Sequence, residues 1–200
     1  MISTVRLYRI KKEKTSGEVE KIGHMADEKY EMIDRMGNEV FIIESKVCEN
    51  LQQSVIENVV HELLQHTGSS VKVKMESSFP ENRLVGGKYH ISTHTITLYI
   101  DEIKKQCVQL FSTDAYFIDY LKIVFAHEIG HAEDLELAML CDQLDECTTQ
   151  HERNKLALTI EENAWRYAES YLKEVDPSLV ETVIYHSLQS YREKTELEIA

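Results

Sequence analysis

His127-Glu128-Ile129-Gly130-His131 sets two imidazoles four residues apart, with a carboxylate directly after the first. On an α-helix turning ~100° per residue, positions 127 and 131 lie ~40° apart and one turn along the axis. Both rings can then bind one metal ion, and Glu128 can reach its water. The segment from Phe117 to Ile129 is apolar on nearly every side, and burying two imidazoles and a carboxylate there is costly unless something pairs with them. A zinc ion would do so, with His127 and His131 as ligands and Glu128 as catalytic base. The bland alternative is a pair of surface histidines.

His61-Glu62-Leu63-Leu64-Gln65-His66 is an internal control, because it has one more residue between its histidines. Five steps rotate ~140°, so these rings point apart and belong to a solvated face. A catalytic zinc needs a third protein ligand beside its water. Glu161 is the expected one: it shares a helix face with Ala157, Ala164, Trp165, Ala168 and Leu172, whereas Glu162 falls with Arg166, Glu169 and Lys173. Asp134, one turn past His131, competes for that place or orients a ligand imidazole from behind. Cys141, Cys147 and His151 match no usual zinc spacing. His90 and His94 are expected to pack half-buried on a strand, bordering a cleft if that strand lines one.

The elements that must position these groups follow from periodicity. Val5–Ile10 alternates like a strand, 27–36 is expected to be a short helix, and Val40–Ile43 is a brief apolar run. Residues 47–66 form an amphipathic helix that stops before Gly68. Val71–Met75 is a strand, and a second strand is expected over His90–Ile100, with Ile96, Leu98 and Ile100 on its inward face. Thr113-Asp114 would cap a buried central helix over about 115–140. Two helices close the chain. One covers about 155–173; the other is capped by Asp176, has Pro177 in its first turn, and carries Leu179, Val180, Val183, Ile184, Leu188 and Tyr191.

The 200-residue chain is 42% apolar, enough for one core. Its net charge of −13, with no Lys/Arg cluster, disfavours nucleic acid and anionic membranes as partners. No apolar stretch reaches the ~20 residues of a spanning helix, and residues 1–14 lack the hydrophobic centre of a signal peptide. Four scattered cysteines are expected to be thiols of a reducing compartment, the cytoplasm. Residues 1–45 are expected to be an extension of open role, and 46–200 the domain that carries the chemistry.

The sequence resembles the ImmA/IrrE-like family of bacterial and phage zinc metallopeptidases, of gluzincin type. The likeness rests on Phe125-Ala126-His127-Glu128-Ile129-Gly130-His131-Ala132, on Gly87-x-Tyr89 with His94–Leu98, and on Glu161-x-x-Ala164-x-x-Tyr167-Ala168, over about residues 85–175. The resemblance implies zinc on His127, His131 and Glu161, with Glu128 as base. It also implies a protein substrate, such as a repressor or stress regulator. The spacing of 30 positions from His131 to Glu161 is longer than in typical gluzincins.

The expected fold is therefore α+β, a zincin-like domain with a small twisted sheet packed on the His127 helix. The expected function is hydrolysis of a protein or peptide substrate lying along the His90–Ile100 strand. His151, Tyr167, Tyr185 or His186 would supply a further oxyanion donor. The alternatives are a zinc-stabilised regulatory protein with little hydrolysis, and a purely structural helical protein. Oligomeric state is left open.

Overall fold

The computed structural model describes residues 29–33, 39–80 and 83–196, with side chains from residue 51 onward. The chain divides into two compact units, residues 1–58 and 59–200. In the first, β1 (Lys29–Ile33) pairs antiparallel with β2 (Glu39–Glu44), from Lys29 opposite Glu44 to Ile33 opposite Glu39, with an irregularity between Met32 and Ile33. The expected helix over 27–36 is thus corrected to a strand over 29–33. Tyr30 and Met32 alternate with Glu31, and the apolar run in β2 supplies a partner strand that a local helix reading ignores. The Val5–Ile10 alternation lies outside the described residues. Helix α1 (Ser45–Thr67) begins in this unit and ends in the second.

The second unit is α+β, mostly helical, with a three-stranded mixed sheet. The strands are β3 (Lys72–Glu76), β4 (Gly87–His90) and β5 (Thr95–Tyr99), in the order β3-β5-β4. β5 runs parallel to β3 and antiparallel to β4, with Gly87 opposite Leu98 and His90 opposite Thr95. The single strand expected over 90–100 is therefore two strands. A 3-10 turn over Ile91–Thr93 and His94 in the left-handed region (φ 46°) reverse the chain between them. As the central strand, β5 is buried on both faces, Thr95, Thr97 and Tyr99 included.

Helix α2 (Ile100–Phe111) follows β5 directly and lies outside the elements expected from sequence, although Ile100, Ile103 and Cys107 recur at helical spacing. The strand reading of the residues before it hid that signal. Ile103 and Cys107 are fully buried, and Asp101 and Glu102 suit the positive end of the helix dipole.

The helix expected over 115–140 is likewise two: α3 (Phe117–Glu133) and α4 (Leu137–Glu146). At the start, Thr113 and Asp114 form a turn, with the Ala115 N–H donating to Thr113 Oγ1 and the Phe117 N–H to the Asp114 carbonyl. At the break, Asp134 is extended (ψ 106°) and its Oδ1 accepts the Glu136 N–H at 2.8 Å, the local bond by which Asp competes with a continuing helix. α3 is central, packing against β4, β5, α2, α5 and α6, with Leu121, Ile123, Phe125 and Ile129 wholly buried.

Helix α5 (Gln150–Tyr171) starts at Thr149, its N-cap. Thr149 Oγ1 accepts the Glu152 N–H at 3.2 Å and donates to the Glu152 carboxylate at 2.8 Å. Thr149→Ala is expected to lower stability by ~1 kcal/mol, read from the urea midpoint at constant slope; an unchanged midpoint would show that water replaces the cap. Helix α6 (Pro177–Glu196) begins as expected, with Asp176 accepting the Ser178 N–H at 2.9 Å. It runs antiparallel along α5: Ser187 meets Trp165, Tyr191 meets Glu161 and Lys194 meets Asn154.

Candidate metal centre

The last two turns of α3 carry His127 and His131, and α5 crosses against them. Only a glycine at 130 permits the approach: a Cβ there would lie 2.2 Å from the Ala164 carbonyl oxygen. With α5 so close, Glu161, one turn before Ala164, reaches both histidines. Its Oε2 lies 3.2 Å from His127 Nε2 and its Oε1 3.9 Å from His131 Nε2, while the two Nε2 atoms are 3.1 Å apart.

Ligand atoms ~2.0–2.1 Å from a tetrahedral zinc lie about 3.3 Å from one another. The His127–His131 and His127–Glu161 separations are close to that spacing, and one ligand atom from each of the three residues lies within 4.8 Å of the other two. Among the described residues, His127, His131 and Glu161 are the one group of three so placed, and they could hold a metal ion.

The electrostatics suit ligation. Burial, helped by the neighbouring His127, lowers the His131 imidazole to about 4, which leaves it neutral at pH 7 with a lone pair available. Burial alone would raise Glu161. The hydrogen bond and charge of His127, the charge of His131 and the Tyr191 hydroxyl outweigh it and hold the carboxyl below its ordinary value. His127 Nδ1 is buried and has no hydrogen-bond partner among the described residues. The ring is held instead by stacking on Trp165, at 4.2 Å between centroids and 26° between planes.

Glu128 is 7% exposed and lies against Gly87 of β4. A Cβ on Gly87 would lie 2.6 Å from Glu128 Cγ, so this glycine is what lets the strand close over the carboxylate. Burial raises the Glu128 carboxyl to about 7; Glu161 adds to the rise, while His127 and a hydrogen bond from the Tyr89 backbone N–H oppose it. Glu128, the three candidate ligands, Tyr89 and Cys141 border one cleft of about 390 Å³. An apolar cluster of Leu137, Leu140 and Ile160, with Cys141 and Leu144 packed on it, adjoins that cleft through Leu137 and Cys141.

The competing acids stand elsewhere. Asp134 lies outside the three-residue group: its Oδ2 accepts from Asn163 Nδ2 at 3.2 Å and its Oδ1 accepts the Glu136 N–H. Glu162 turns outward, 3.9 Å from Arg192, with its side chain 42% exposed against 19% for Glu161. His61 and His66 are exposed. Cys107, Cys141 and Cys147 are free thiols. His94 forms part of the turn after β4, and its Nδ1 lies 2.9 Å from the Tyr89 hydroxyl.

None of His151, Tyr167, Tyr185 and His186 lines the cleft: Tyr167 packs at a tilt against Tyr171, and Tyr185 is 57% exposed beside His186. Tyr191 reaches the candidate ligands through Glu161. From sequence it was one more apolar-face position of the last helix. No helix of the described residues is long and apolar enough to cross a membrane. Comparison of the chain with protein-family models, with curated proteins and with solved structures finds no match.

Proposed function

We propose that the protein is a zinc-dependent metallopeptidase on a zincin-like scaffold, hydrolysing a peptide bond in a protein substrate. One observation carries this reading: two imidazole nitrogens and one carboxylate converge in a cleft that also holds a second, buried carboxylate able to act on a water. Two histidines and a glutamate with an open position are a donor set of catalytic zinc sites, whereas structural sites are closed and rich in thiolates. Zinc held there would lower the pKa of a water and polarise a carbonyl.

Glu128 does the proton chemistry. Its carboxylate takes the proton of the attacking water and returns it to the leaving amine, and a carboxyl near 7 is suited to both roles at neutral pH. The Tyr89 N–H and the close approach of Gly87 hold that carboxyl in one place. Among the described residues β4 is an edge strand of its sheet, paired with β5 alone, so an extended substrate can add to its other side by backbone hydrogen bonds. The apolar cluster beside the cleft favours an apolar substrate side chain. The resemblance to the ImmA/IrrE-like family favours a regulatory protein as substrate, and the free thiols suit a cytoplasmic setting.

Elemental mass spectrometry tests the centre. Chelator-free wild type is expected to carry about one zinc per chain, as a three-ligand site predicts; His127→Ala and Glu161→Ala should lose or sharply weaken it, while Asp134→Ala keeps it. A wild type without metal that also binds none on titration would overturn the proposal.

A further inference from the structure

We propose that Tyr191 of α6 is a positioning residue for the metal centre: its hydroxyl fixes the Glu161 carboxylate, so that the C-terminal helix sets metal affinity. The inference rests on the metal-centre reading above. Glutamate has three rotatable side-chain bonds, and holding its carboxylate in one pose costs conformational entropy unless a second group restrains it. Tyr191 provides that restraint, donating to Glu161 Oε1 at 3.3 Å and leaving Oε2 turned to His127.

A second contact from the same helix face points the same way. Ser187, one turn before Tyr191, accepts the Trp165 indole N–H at 2.7 Å, and Trp165 stacks on His127. One face of α6 therefore secures two of the three candidate ligands, one by a hydroxyl on the carboxylate and one through an indole on the imidazole. The neighbouring seam contacts, Arg192 with Glu162 and the Lys194 carbonyl with Asn154, join α6 to α5 without touching a ligand. They provide the control. Groups that orient metal ligands from behind typically change metal affinity ~10–100-fold when removed.

The test compares wild type, Tyr191→Phe and Arg192→Ala as full-length chains, by competition for zinc with a chelating dye at pH 7. The absorption spectrum of the cobalt-loaded forms and the melting temperature of the metal-free forms are recorded alongside. Tyr191→Phe is expected to weaken zinc binding ~10–100-fold and to alter the cobalt bands, with a metal-free melting temperature close to that of Arg192→Ala. Arg192→Ala should bind zinc as wild type does.

Equal affinity and equal spectra in wild type and Tyr191→Phe would overturn the assignment while leaving the metal centre standing. So would an equal loss in both variants, which would mark α6 as mere packing. A wild type that binds neither zinc nor cobalt would remove the metal-centre reading, and this inference with it. Trp165 is the only tryptophan of the chain and stacks on His127, so its emission provides an independent record of each titration.

Discussion

Glu128→Gln is expected to keep the metal and to lower peptide hydrolysis by ~10²–10⁴-fold, the range that a positioned general base contributes. Glutamine has the shape of glutamate, and its carbonyl oxygen can still accept the Tyr89 N–H, so the cleft should not move. Folding should not suffer either, because a neutral amide replaces a carboxylate whose ionisation burial already disfavours. What is lost is the capacity to take a proton from water and return it to an amine. The measurement is zinc content and cleavage of a peptide library, wild type beside variant. Full zinc occupancy in both with cleavage in wild type alone is the expected result. Full occupancy in both with no cleavage by either would favour the alternative, a zinc-stabilised regulatory protein on the same scaffold.

Gly130→Ala is expected to damage both the fold and the site, although helix propensity argues the opposite. Alanine inside a helix is favoured over glycine by ~1 kcal/mol. Here the new methyl would meet the Ala164 carbonyl oxygen at 2.2 Å and its carbonyl carbon at 2.8 Å. Those are backbone atoms, which no rotamer change can clear. α5 would have to stand off by roughly 1 Å to restore van der Waals spacing, and overpacking of this kind costs ~1–3 kcal/mol, occasionally more. The steric cost outweighs the propensity gain, so the melting temperature should fall.

Metal affinity should fall as well, because Glu161 moves with Ala164, three residues along α5. Thermal denaturation and zinc competition on the variant check both parts. A melting temperature above wild type with unchanged zinc affinity would show that the two helices do not need this contact.

Much of the candidate centre was legible from local periodicity. The 40° offset of His127 and His131 follows from helix geometry alone, and the phase of Glu161 against Glu162 follows from the small and aromatic residues that share its face. The side-chain exposures of 19% and 42% agree with that phase. Asp176 and Pro177 announce the start of α6 by their types, and Asp176 caps it as expected.

Other features were beyond local reading. The reversal at Ile91–His94 sits inside an alternating run that continues smoothly in sequence, and only the pairing of β4 back onto β5 reveals it. The break at Asp134 looks like one more helical position until its side chain takes the Glu136 N–H.

The sequence by itself determined which side chains share a helix face, because neighbours one turn apart are set by 3.6 residues per turn whatever the rest of the chain does. Tertiary structure decided which faces meet and how closely. Gly130 and Gly87 have no side chain to signal their role; their importance exists only in the distances to Ala164 and Glu128 that their bareness allows. Tyr191 lies 30 positions from Glu161. A hydroxyl on an apolar helix face carries no local mark of its partner. That contact exists because α6 runs antiparallel along α5, a choice made by packing over the whole unit, which no window of a few helical turns contains.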